Sequence, residues 1–368
     1  MKIDEVELRV IRVPFRSAFT TSFGSQTEKH TVIVTVRSDG VEGYGEGVME
    51  TLPEYREETL AGALYLLREA LVPALLRDGC DHPGDLAAAW ARYRGNPMCK
   101  TSLELAVWDC FARQQGVALR DLIGGSVSEI PVGASLGMNP LDVTLASVDR
   151  HVAEGYKRIK LKVEPGWDHE LLGPVRAAHP DIELTVDANS AYALDDTDTL
   201  RRFDDYGLKY IEQPLHWDDL VDHAALAPLL RTPLCLDETL TSPARVRAAL
   251  DLRACAVVNL KVGRVGGLAA TLRIHELCVE RGVPMWCGGM LETGVGRAHN
   301  IHIATLPGFT YPGDTASASR TYARDIVEQP LEATGGMMPV PLDGPGIGVT
   351  LDRDFLADVT ESVETLRL

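Results

Sequence analysis

Apolar and polar positions alternate with period two in VELRVIRVPF (6–15) and HTVIVTVRS (30–38), and VEGYGEGV (41–48) follows the turn residues Ser38-Asp39-Gly40. Side chains on a strand point to opposite faces in turn, so these stretches predict an antiparallel meander with one buried face. Apolar positions then recur at helical spacing in YREETLAGALYLLREALVPALL (55–76), DLAAAWARY (85–93) and SLELAVWDCFARQQG (102–116). The last opens on Thr101-Ser-Leu-Glu104, the pattern of a capping box at its own N-terminus.

From about residue 130 the pattern changes. Short β-branched runs, IPVGASLG, RIKLKV, IELTVDA, LKYIEQP, PLCLDE, AVVNLKV and PMWCGG, alternate with segments such as DVTLASVDRHVAEG and TLRIHELCVERG at helical period. Asn139-Pro140 and Ser242-Pro243 read as helix starts, a capping side chain before a proline in the first turn. Repeated strand–helix units predict a parallel sheet, and this many copies favour a closed barrel. The expected fold class is α/β, a modified TIM barrel (β/α)7β with an α+β capping domain built from the N-terminal segment and the C-terminal tail. The expected boundaries are 1–125 for the cap, 126–315 for the barrel and 316–368 for a Gly- and Pro-rich segment packing back on the cap.

Charge changes the picture of partners. Against 36 Lys and Arg stand 53 Asp and Glu, a net charge of -17, which repels nucleic acid and anionic membrane surfaces. A small anionic substrate then needs local positive charge or a bound cation. The seven cysteines form no C-x-x-C pair, which suggests reduced, buried thiols. The N-terminus lacks the apolar run of a signal peptide and no stretch is long enough to span a bilayer, so a cytoplasmic location is expected.

Candidate chemistry appears where the charges fall. Lys162, Asp187, Glu212, Asp237 and Lys261 stand at or near strand ends, spaced 25, 25, 25 and 24 residues apart, about one βα unit each. Residues in that register meet at the C-terminal mouth of a barrel. Three carboxylates held close in a partly dry site need protonation or a cation, and an all-oxygen set suits Mg2+ or a similar hard divalent ion, Mn2+ and Co2+ included. Glu238 follows Asp237 and by alternation should point away, standing behind the ligands. Lys160 and Lys162 share one strand face, predicted to be the barrel interior, while Lys261 approaches from the opposite side. Burial near a cation is expected to lower a lysine pKa toward a useful base. Two lysines flanking a cation-bound carboxylate suit removal of its α-proton, with Lys160 helping to stabilise the enediolate. Return of the proton to the other face is racemisation, and a cationic second lysine suits β-elimination.

At these residues the sequence resembles the enolase superfamily, whose use of a lysine or histidine base with Mg2+ is known chemistry. RIKLKVEPGWD (158–168), VDANSAY (186–192), YIEQPL (210–215), CLDE (235–238), NLKVGRVGG (259–267) and WCGGMLETG (286–294) are similar to the o-succinylbenzoate synthase / N-acylamino acid racemase family over essentially the whole chain. The resemblance implies that Lys162 and Lys261 are the acid/base pair and that Asp187, Glu212 and Asp237 bind Mg2+. It implies substrate-facing positions at Ser135, Lys160, Asn189, Gly289, Met290 and Asp314, and an Arg264 that tunes Lys261. Capping loops 14–26 and 49–55 would bring Phe19, Met49 and Tyr55 over the pocket. Thr321 stands where some relatives carry a bulkier residue. The implied activity is racemisation of N-acyl, particularly N-succinyl, amino acids, dehydration to o-succinylbenzoate in menaquinone synthesis, or both. A homo-oligomer, with an octamer among its forms, is implied as well.

Other readings stay open. A dipeptide epimerase would carry Asp-x-Asp where this chain has Asp314-Thr-Ala316, a mandelate racemase type would use histidine in place of Lys261, and a muconate cycloisomerase fits the motifs less well. A noncatalytic barrel binding acyl amino acids would tolerate loss of any of the five charged residues. His299-x-x-His302, Gly43-x-Gly45-x-Gly47 and Cys287 are read as structural.

Overall fold

The computed structural model describes residues 1–21 and 24–368; Ser22 and Phe23 of the expected capping loop lie outside the described residues. The first strands are β1 (Glu5–Thr21), β2 (Gly24–Ser38) and β3 (Val41–Glu46), antiparallel as their alternation requires. Val6, Leu8 and Val10 pair with Val36, Val34 and Val32, so one face of the pair is an unbroken row of valine and leucine in the core of the cap.

The parallel sheet runs through β4 (Ala134–Leu136), β5 (Arg158–Lys162), β6 (Glu183–Asp187), β7 (Ile211–Glu212), β8 (Leu234–Leu236), β9 (Val257–Leu260) and β10 (Met285–Cys287), adjacent in that order. Between β10 and the start of the sheet lie residues 309–314. They bridge Met285 through Phe309 and Val132 through Gly313, with Asp314 N donating to Cys287 O (2.9 Å) and Gly133 N to Gly313 O (2.8 Å). This irregular segment fills the eighth position of the ring. The chain ends in β11 (Thr360–Leu366), which pairs with β1 and completes the N-terminal sheet in the order β11-β1-β2-β3. Among the described residues no helix is long and apolar enough to cross a membrane.

A long helix, Pro97–Gln115, lies on β3 at backbone contact. A Cβ on Gly43 would sit 2.2 Å from Cys110 N, and one on Gly45 would sit 2.1 Å from Ser102 O, which is why this strand is glycine-rich. The capping-box reading of Thr101–Glu104 is overturned. The helix begins one turn earlier, at Pro97, and Thr101 Oγ1 donates to Pro97 O and to Gly263 O of the barrel. Glu104 instead accepts from Leu268 N (2.5 Å) and Ala269 N (3.1 Å), capping the barrel helix Leu268–Glu280 from across the domain contact. Ser242 does cap its helix, accepting from Arg245 N, but Asn139 does not: its amide donates to Gly137 O and the helix starts at Leu141 behind Pro140.

Burial pushes the Glu104 carboxyl up to about 7, against an ordinary 4.5, despite the two backbone donors. A raised acid keeps in the native state a proton that the unfolded chain has already lost, so its stabilisation is full below about pH 4.5 and falls away as pH rises through 7. Glu104→Gln removes that titration. The stability gap between wild type and variant is expected to move in favour of the variant by about 2 kcal/mol from pH 5 to pH 8. Urea unfolding at both values checks this, and parallel pH profiles would contradict it.

Candidate active site

The alternation along β5 puts Lys160 and Lys162 inside the barrel, while Ile159, Leu161 and Val163 pack outward in the main core. Lys162 lies opposite Asp187 in the β5–β6 register, and Asp187 lies opposite Glu212 in the β6–β7 register. Lys162 Nζ donates to Asp187 Oδ2 (2.7 Å) and Asn189 Oδ1 (2.5 Å). Lys160 Nζ lies 2.8 Å from Asp314, 3.0 Å from Glu212 and 3.3 Å from Asp187. Across the mouth, at the end of β9, Lys261 Nζ donates to Asp237 Oδ2 (2.8 Å) and Tyr55 Oη (3.2 Å).

A cavity of about 520 Å3 opens above these groups. Lys160, Lys162, Asp187, Asn189 and Lys261 reach its floor, with Ser135, Gly289, Met290 and Asp314 on its walls. Phe19 and Tyr55 reach it from the cap. Glu212, Asp237, Glu238 and Arg264 lie buried beneath. Met49 is not among the lining residues: its side chain is fully buried in the core of the cap, against the backbone of Gly47, because the chain turns inward there before the loop rises to Tyr55.

One expectation about orientation is corrected. Glu238 does not turn away from Asp237. β8 ends at Leu236, so strand alternation no longer applies, and Glu238 accepts from Asn189 Nδ2 (2.8 Å) while its other oxygen is buried with no partner. Lys160 and Lys261, which face carboxylates directly, are both raised. Burial acts to lower them, but Asp314, Glu212 and Asp187 outweigh it and hold Lys160 well above its ordinary value. Lys261 is raised too, burial being outweighed by Tyr55, Glu238 and Glu212. The carboxylates divide in turn. Asp187, despite burial, is held down at about 2 by Lys162 and Lys160, whereas burial and the Asp187 charge push Glu212 and Glu238 up.

Arg264 reaches Lys261 through a shared partner. It is fully buried, pairs with Asp237 Oδ1, meets Tyr55 Oη at 3.1 Å and donates to Leu240 O and Asn259 O. The discounted motifs are structural: His299 bonds to Tyr44 O, His302 accepts from Arg120 N, and burial lowers both to about 4. Burial raises the Cys287 thiol.

With this geometry established, comparison with known proteins is direct. Residues 144–355 match the enolase C-terminal domain-like family and residues 5–124 match the mandelate racemase / muconate lactonizing enzyme N-terminal domain. An N-succinylamino acid racemase of Thermus thermophilus is 52% identical over 361 residues, 98% of each chain. An o-succinylbenzoate synthase of Geobacillus kaustophilus is 50% identical over 96% of this chain and 94% of its own. The chain belongs to the o-succinylbenzoate synthase / N-acylamino acid racemase family of the enolase superfamily. An enolase superfamily member from Listeria innocua superposes with a TM-score of 0.97 at 39% identity, covering 100% of this chain and 99% of its own.

Enzymes of this superfamily generally use a divalent metal. Among the described residues no three acidic, histidine or cysteine side chains converge as a ligand cluster, because lysines stand between the carboxylates. The donor chemistry nevertheless fits a hard cation. Asp187, Glu212 and Asp237 offer only carboxylate oxygens at or just beyond the ends of three adjacent strands, and Glu238 keeps a buried oxygen that nothing satisfies.

Sequence reasoning missed Arg158, Arg297 and Arg320. Arg158 is buried beneath the site and bonded to Asp314, and the other two arginines line the cavity. Arg158 was legible in principle, being in phase with Lys160 and Lys162 on β5. Arg297 and Arg320 lie beyond β10 and carry no periodic signal.

Proposed function

We propose that this chain is an enzyme that, with a divalent ion, Mg2+ foremost, removes the proton α to a carboxylate. Its substrates on this reading are N-acyl amino acids, N-succinyl ones in particular, which it racemises, and the precursor that it dehydrates to o-succinylbenzoate. The carrying observation is that two lysines, Lys162 and Lys261, rise into one cavity from strands with three others between them. Relatives named for each activity, at 52% and 50% identity, support both outcomes.

Asp187, Glu212 and Asp237 would hold the ion. When bound, it supplies positive charge that stabilises the developing charge on the substrate carboxylate and competes with the lysines for the carboxylates that hold their protons. The floor supports that balance. Its five cations, Arg158, Lys160, Lys162, Lys261 and Arg264, face five carboxylates, Asp187, Glu212, Asp237, Glu238 and Asp314. A divalent ion and a dianionic substrate added together keep the sum unchanged. Lys162 and Lys261 then act from opposite faces, one taking the α-proton and the other returning one; in dehydration one takes it while the other stays an ammonium. Lys160 donates to the substrate carboxylate, and Tyr55 and Phe19 close the mouth against water. Residues 1–125 and the tail serve as the cap of a cytoplasmic homo-oligomer.

The test is polarimetry on N-succinyl-phenylglycine with added Mg2+, beside an ultraviolet assay of o-succinylbenzoate formation. Turnover in either assay that EDTA abolishes and Mg2+ restores is the expected result. Activity indifferent to EDTA would defeat the metal reading, and no turnover of either compound would defeat the substrate assignment.

A further inference from the structure

The wall of the cavity above β4 carries two arginines that, among the described residues, no carboxylate pairs with. Arg320 sits in the turn Ala318–Arg320, half-buried, and its guanidinium reaches only Ser135 O (3.4 Å) and the face of Tyr156 (5.7 Å). Arg297, 5% exposed, spends its terminal nitrogens on Ala316 O and Glu292 O, and its buried Nε has no partner. Among the described residues neither arginine forms an ion pair with a carboxylate.

Two of the nearby carboxylates are committed elsewhere. Asp314 gives one oxygen to Arg158 (2.6 Å) and the other to Lys160 (2.8 Å). Glu292 accepts from Met290 N and Asn300 Nδ2. Glu154, exposed at the end of the helix Leu141–Ala153, lines the same cavity but bonds to neither arginine. Unlike the balanced floor, then, this wall holds two arginines that, among the described residues, no carboxylate pairs with directly. A guanidinium largely withdrawn from water with only carbonyls and a ring for partners is an unmet demand for a planar anion, and burial lowers the pKa of Arg320. Ser135, whose carbonyl Arg320 touches, lies opposite Lys160 in the β4–β5 register. The two arginines therefore share one cavity with the reaction floor.

We infer that Arg320, backed by Arg297, forms a subsite for a second carboxylate, at the far end of the substrate's acyl chain. The inference rests on the proposed N-acyl amino acid reading and deepens it: the acyl group is that of a dicarboxylic acid, as in succinyl, and Arg320 selects it over acetyl. Arg297 is a positioning residue that ties the segment carrying Arg320 to the helix Gly294–Ile303.

The experiment compares N-succinyl- with N-acetyl-phenylglycine in the Mg2+-loaded full chain, by calorimetric binding and by kcat/KM, for wild type, Arg320→Met and Arg320→Lys. Wild type is expected to prefer the succinyl compound by about 10- to 100-fold, the worth of a hydrogen-bonded ion pair. Arg320→Met should erase that preference by weakening the succinyl arm alone, and Arg320→Lys should keep part of it. An equal fall in both arms would mean a structural role and overturn the inference. So would a succinyl preference that survives in Arg320→Met, or wild-type binding no tighter for succinyl than for acetyl. If wild type binds the succinyl compound through Arg320 but racemises neither compound, the activity reading fails and the subsite stands.

Discussion

Lys162→Ala and Lys261→Ala are each expected to lose racemisation by roughly 10²- to 10⁴-fold, the usual contribution of a positioned acid or base. Each should still exchange the α-proton of one enantiomer with solvent. The reason is topological. Three strands, β6, β7 and β8, lie between the lysines in a ring whose eighth place is filled by residues 309–314. A substrate bound between them thus shows its two faces to different lysines. Proton NMR in D2O, with each pure enantiomer, reads this directly: one variant should wash out the signal of one antipode, and the other variant that of its mirror image. If both variants exchange the same antipode, the lysines do not flank the reacting carbon. If both retain racemisation, the acid/base assignment is wrong.

The second large effect concerns stability. Arg158 begins β5 with no exposed side-chain surface, donating to Pro312 O and Asp314 and lying 5.2 Å from the Trp286 ring. Room for it exists because residue 133 is glycine; a Cβ there would meet Arg158 Nε at 2.3 Å. Arg158→Met leaves the half-buried Asp314 with one cation in place of two, and leaves the irregular closing segment without its anchor at Pro312. A loss of about 3 to 5 kcal/mol in urea unfolding is expected, because removing one partner of a desolvated ion pair costs more than the pair contributes. Adding Asp314→Asn to Arg158→Met should recover part of it. A loss below about 1 kcal/mol, or no recovery in the double variant, would show that the pair is not what holds the segment.

These two arrangements were legible to different degrees. The near-constant spacing of Lys162, Asp187, Glu212, Asp237 and Lys261 survives folding because each βα unit is nearly the same length, so residues at the same phase arrive at the same end of the barrel. The alternation of Val6, Leu8 and Val10 likewise translates into a buried face without help from the rest of the chain. Closure by residues 309–314 was not legible, since a segment held by single bridges has no strand pattern to show.

What the sequence by itself determined was therefore the local and the periodic: the meander, the parallel repeat and the five charges in phase. What the tertiary structure decided was the choice of partner. Glu104 has the spacing to cap its own helix, yet it caps one that begins 164 residues later, because Gly267, where a Cβ would meet Glu104 Oε2 at 1.8 Å, leaves room for the carboxylate. Met49 turned inward, Glu238 joined the floor, and Arg320 met a cavity wall where, among the described residues, no carboxylate pairs with it, all through contacts between distant segments. The lysines show the same limit in their charge. Burial alone, which a barrel interior implies, lowers a lysine pKa, but it took the folded positions of Asp187, Glu212 and Asp314 to raise that of Lys160. Periodicity is a property of neighbours along the chain, whereas a hydrogen-bond partner or a local potential depends on which segments the fold brings within a few ångströms.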